Sequence, residues 1–155
     1  MGFNIAGLLI ENKIEKQEIE KILECKITFL REVDFEEASS SYRDDDESID
    51  ILQTETGTLI ITELGQVYDI SIFDGKIIQF MISDVSDTYY FEKYINGNLE
   101  RKYINSQGEI AENEGVGIIE EGNDMMDLIW ELANNYLQNN FAENMFEKKL
   151  KRYKI

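Results

Sequence analysis

The chain has 155 residues, with 15 Lys and Arg against 32 Asp and Glu, a formal net charge of −17, no His, no Pro and one Cys. Without His there is no Ser–His–acid or Cys–His nucleophile, and a single Cys allows neither an intramolecular disulfide nor a zinc site. The charge opposes nucleic acid phosphates and anionic lipids, both of which require a basic footprint.

A 43% apolar content with eight Phe, eight Tyr and one Trp argues for a folded core. The chain contains no linker-like stretch, and residues 1–155 read as one globular domain. Phe3–Ile10 predicts a buried strand, and Glu15–Glu24 a short helix with Ile19, Ile22 and Leu23 on one face. Lys26–Val33 alternates imperfectly through Ile27, Phe29 and Leu30 and predicts a second strand. Residues 32–50 carry nine acids, and Asp34–Asp50 predicts an acidic loop with one helical turn at Phe35–Ala38. Ile49–Thr54 and Thr58–Thr62 then predict strands flanking a Thr56-Gly57 junction. Val67–Phe73 alternates and predicts a strand, turned by Asp74-Gly75 into Lys76–Ile82, whose two apolar sides suit a central position.

Asn96-Gly97 predicts a two-residue type I′ hairpin. Its register would pair Ile95 with Asn98, Tyr94 with Leu99, Lys93 with Glu100, Glu92 with Arg101, Phe91 with Lys102 and Tyr90 with Tyr103. Two of these are opposite-charge pairs and one is aromatic, each worth roughly 0.2–1 kcal/mol. Glu109–Gly122, rich in Gly and Glu, predicts a long loop. Asn123 or Asp124 would cap a helix to about Gln138, with Met125, Ile129, Leu132 and Tyr136 recurring at helical spacing. From about Phe141 a second helix would place Ala142, Phe146, Leu150 and Tyr153 on one stripe. Its last turns would hold Lys148, Lys149, Lys151, Arg152 and Lys154, where the helix dipole favours cations. The helical segment thus spans residues 124–154, and the stripe favours a docked tail over a free arm.

Few residue patterns carry chemistry. Asp44, Asp46, Ser48 and Glu55 match positions 1, 3, 5 and 12 of a calcium loop, but Ile49 stands where that loop needs Gly for its sharp turn. Gly115-Val116-Gly117 followed by Gly122 lacks the spacing of a dinucleotide fingerprint. No metal, cofactor or catalytic residue is expected, because so many acids make any chosen carboxylate pair uninformative. Tyr89, Tyr90, Tyr94 and Tyr103 could form a stacking platform, but sheet packing accounts for them better in so acidic a chain. Cys25 reads as a small core residue. Phe3–Ile10 is short and has no basic residues before it, and no run is long enough to span a bilayer, so the expected location is cytoplasmic.

The meander Tyr90-Phe91-Glu92-Lys93-Tyr94-Ile95-Asn96-Gly97, the acidic surface and the helical C-terminus together resemble the small acidic α+β proteins found as orphan bacterial genes and as immunity partners of polymorphic toxins. The resemblance implies a protein whose acidic face occludes the active site of a basic toxin. It transfers no functional residue.

The expectation is therefore an α+β domain with an antiparallel sheet of about five to seven strands and C-terminal helices packed on it. Its expected function is non-enzymatic inhibition of a basic protein partner, which the resemblance implies is a toxin, through Asp44, Asp45, Asp46, Glu47 and Asp50. It would bind neither nucleic acid nor membrane directly. The alternative is a nucleic acid mimic that blocks a DNA-binding protein.

Overall fold

The computed structural model describes residues 4–40, 47–115, 125–138 and 140–155. Among these, nine strands form one antiparallel sheet: β1 (Asn4–Ile10), β2 (Thr28–Asp34), β3 (Ser48–Gln53), β4 (Thr58–Thr62), β5 (Lys76–Ser83), β6 (Thr88–Ile95), β7 (Asn98–Ser106), β8 (Glu109–Gly115) and β9 (Lys149–Lys154). Their spatial order is β2-β9-β3-β4-β1-β5-β6-β7-β8. The helices are α1 (Lys16–Leu23), α2 (Phe35–Ala38), α3 (Met125–Leu137) and α4 (Phe141–Asn144). The class is α+β as expected, with more strands than five to seven.

The sheet is apolar on both faces at its centre, which explains why β1 and β5 read as continuous apolar runs. On one face Ile5, Leu9, Leu59, Ile61, Ile78 and Phe80 meet α3 through Ile129, Trp130 and Ala133. On the other, Leu8, Ile10, Ile60 and Ile77 pack with Ile19, Ile22 and Leu23 of α1. The β3–β4 junction anchors α3, because the Thr56 hydroxyl donates to the carbonyl of Tyr136 at 2.8 Å. Gly57 allows this approach, since a Cβ there would lie 2.5 Å from the same carbonyl oxygen.

Three predicted elements change. Lys149–Lys154 forms a strand, so the tail is docked, but as β9 between β2 and β3. Leu150 and Arg152 are fully buried while Lys149 and Lys151 are exposed, a period of two that the charged residues conceal. Phe146, expected on a buried helical stripe, is 61% exposed, although its ring still meets Phe35 edge-on at 5.6 Å. Glu109–Gly115 is strand β8, joined to β7 through Gln107-Gly108, both at positive φ. As an edge strand exposed on both faces, β8 shows no apolar alternation to read. Its charges discourage edge-to-edge association.

Val67–Phe73 is not a strand. It contains a 3₁₀ turn at Ile70–Ile72, capped by the Asp69 carboxylate, which accepts from the Ser71 amide at 3.1 Å. The Gln79 side chain supplies what a ladder would have: it accepts from the Tyr68 amide at 2.8 Å and donates to the Tyr68 carbonyl at 2.9 Å.

The Asn96-Gly97 hairpin forms with φ of 51° and 81°, as a type I′ turn requires. Ile95 pairs with Asn98 and Tyr94 with Leu99, as expected, but a bulge then leaves Glu100 unopposed. Beyond it Lys93 faces Arg101, Glu92 faces Lys102, Phe91 faces Tyr103 and Tyr90 faces Ile104. The bulge places the buried Phe91 and Tyr103 on the same face, whereas the unbulged register would set Phe91 opposite Lys102.

Candidate functional site

The acidic segment divides into acids that face inward and acids that face solvent. Asp34 precedes α2 in extended conformation, and its carboxylate accepts from the Glu37 amide at 2.8 Å, an N-cap of the usual kind. Glu37 then projects toward two arginines, accepting from Arg31 and, at 3.2 Å, from Nη1 of Arg152. Arg152 reaches across to Asp50, donating from Nε at 2.7 Å and from Nη2 at 3.0 Å. Both side chains of this bidentate pair are 0% exposed.

A single buried guanidinium thus joins α2, β3 and β9. Such a pair contributes little net stability relative to apolar residues of the same size, because desolvating both charges offsets their attraction. Its effect is on geometry. A rigid fork that matches a carboxylate sets the positions of Glu37 and Asp50, which lie on either side of residues 41–46.

Asp50, expected as a surface contact for a partner, is therefore an interior residue, because its place on β3 directs it to the α2–α3 side of the sheet beside Arg152. Glu47 is exposed, with φ of 51°, and its carbonyl accepts from the Ile155 amide at 2.8 Å. Asp44, Asp45 and Asp46 lie outside the described residues, as do the expected helix caps Asn123 and Asp124. Glu32 and Glu36 are exposed beside the segment. The Arg152 link was not read from sequence. The available signal was the alternation of residues 149–154, with one cation falling on the apolar phase beside Leu150.

A second polar cluster occupies the opposite sheet face. Glu92, 5% exposed, accepts from the Gln79 amide at 2.8 Å and from the Tyr90 hydroxyl at 3.1 Å, with Lys102 at 3.9 Å. Burial and the adjacent carboxylate of Glu92 raise the Tyr90 phenol above its ordinary value, so it stays protonated. Each polar group here has a partner, as a structural network requires. The four tyrosines do not form one platform: Tyr89 and Tyr103 pack on the α3 face, while Tyr94 packs on the other. The period of two and the Glu100 bulge separate them.

Cys25 is half-buried, and burial followed by the nearby Glu20 charge raises its thiol pKa, the reverse of an activated nucleophile. The calcium-loop reading meets β3, which holds Ser48–Gln53 extended where a loop would have to turn. Among the described residues, no group of three or more acids or thiols is placed to hold a metal ion. Nor is any helix among them long and apolar enough to cross a membrane. Compared with protein-family models, curated proteins and solved structures, the chain matches none.

Proposed function

We propose that this chain is a non-enzymatic binding protein, an acidic inhibitor of the immunity type, whose segment around Asp44, Asp45, Asp46 and Glu47 meets a basic protein partner. The observation that supports this reading is the buried Arg152 clamp. It joins Glu37, which precedes the segment in the chain, to Asp50, which follows it. Preorganised ends lower the ordering cost of a binding segment. The surplus of 32 acids over 15 cations would steer a basic partner toward it and speed association.

The test is affinity capture from the native host with the full chain, at low and high salt, beside a variant carrying Asp44→Asn, Asp45→Asn, Asp46→Asn and Glu47→Gln. A basic protein retained at low salt by the natural chain and lost in the variant supports the reading. Capture that ignores both salt and the four substitutions rejects it.

A further inference from the structure

Against its overall charge, the molecule gathers cations at one place. Lys13, Lys16, Lys149 and Lys151 line an open groove of about 280 Å³, with no acid among its lining residues. They come from three separate parts of the chain: the β1–α1 connection, the first residue of α1, and alternate positions of β9. Lys149 and Lys151 project from β9 on the side opposite Leu150 and Arg152, beside Tyr153.

Like charges converging on one groove repel, and neighbouring carboxylates would normally relieve them. Of the four lysines, only Lys13 forms an ion pair among the described residues, with Glu55 at 3.6 Å, and both partners are largely exposed. Among the described residues no ion pair joins Lys16, Lys149 or Lys151 to an acid, although Glu32 and Asp34 lie across the strand pairing from Lys151 and Lys149. The interior of the groove is different in kind. Ile27 and Tyr153 line it, and the Tyr153 ring is braced edge-on by Phe29 at a centroid distance of 5.7 Å.

We propose that this groove binds a small organic phosphate, with the phosphate held among the four ammonium groups and the carbon portion against Tyr153 and Ile27. Lysine serves phosphate as a point charge and needs no planar geometry. The volume lies near the small end of ligand pockets, which begin at about 300 Å³, and suits a molecule no larger than a nucleotide. Glu55, Glu32 and Asp34 neighbour the groove lysines and offset part of their charge, while acids more than about 8 Å away are largely screened at physiological ionic strength. The groove lies on the other side of the sheet from the Arg152 clamp, so this proposal stands apart from the acidic segment and its partner.

The test titrates the full chain with ADP and, separately, with pyrophosphate, following backbone amide shifts. Lys149→Gln with Lys151→Gln removes two groove cations that are already exposed. Lys26→Gln with Lys154→Gln makes the same charge change outside the groove. The expected result is saturable binding with shifts around Tyr153 and Lys16, weakened about tenfold or more in the groove variant and little changed in the control. Tighter binding of ADP than of pyrophosphate would assign the apolar floor to the organic part, as proposed. Equal binding would reduce the site to an inorganic phosphate site and overturn the organic half of the proposal. No saturable binding at millimolar ligand, or equal loss in both double variants, would overturn it entirely.

Discussion

Asp50 and Arg152 illustrate how a charged residue can be structural in a chain dominated by charge. Asp50→Ala should cost about 3–5 kcal/mol, because it leaves the buried guanidinium without its bidentate counter-charge. Replacing both partners together, Asp50→Leu with Arg152→Met, should recover most of that loss, and urea unfolding of the two variants measures the difference. Tyr136 presents the opposite case. Its hydroxyl is buried with no hydrogen-bond partner among the described residues, and burial, with Glu11 and Glu100 as smaller contributors, raises its pKa to about 12. The phenol is neutral in both folded and unfolded chains below pH ~10. As pH rises from there through the folded value, the unfolded chain ionises first and the fold loses stability. Tyr136→Phe should therefore be neutral or stabilising by about 1–3 kcal/mol at neutral pH. It should also reduce the alkaline loss seen in thermal melts between pH ~10 and the folded value. An unchanged alkaline profile would mean that other tyrosines carry that loss.

At the level of elements, the Asn96-Gly97 turn and β9 make opposite demands on the sequence. The turn is local. Gly97 has φ of 81°, and a Cβ there would also approach the Ser71 carbonyl at 3.0 Å. Gly97→Val should lower stability by about 1–2 kcal/mol, read as a fall in melting temperature. Strand β9 is wholly non-local: it pairs Lys154 with Thr28 on one side and with Ser48 on the other. Truncation after Asn140 removes Leu150 and Arg152 and separates β2 from β3. This loss exceeds that of a docked helix, and the shortened chain should lack a cooperative unfolding transition. A sharp transition near that of the full chain would show that β9 is dispensable.

For the whole molecule, the decisive quantity is the net charge of −17. Self-repulsion destabilises a compact state, and salt screens it over about 10 Å at 0.1 M. The melting temperature should therefore rise as salt increases from near zero to physiological strength, as scanning calorimetry would show. A fall would mean that attractive pairs such as Glu37 with Arg152 and Glu92 with Lys102 outweigh the repulsion. The same charge makes the two proposed surfaces distinct. The acidic segment belongs to the prevailing field, whereas the lysine groove is a local exception to it.

Local chemistry, which the sequence alone determines, covered much of this protein. The α1 face, the single turn Phe35–Ala38, the β3–β4 pair, the apolar β5 and the helix Met125–Leu137 all follow from local pattern, because each reports the burial of neighbours a few residues apart. Three features depended on the tertiary structure. Strand β8 has no apolar phase, since its residues are largely exposed, and pairing with β7 makes it a strand. The Glu100 bulge is set by the need to keep Phe91 and Tyr103 on one face, a requirement that spans two strands. Arg152 reads as one more cation of a basic tail until folding sets it beside Asp50, 102 residues away. Burying a charge is unfavourable unless a counter-charge arrives with it, and which distant residue arrives is decided by topology, not by the local sequence.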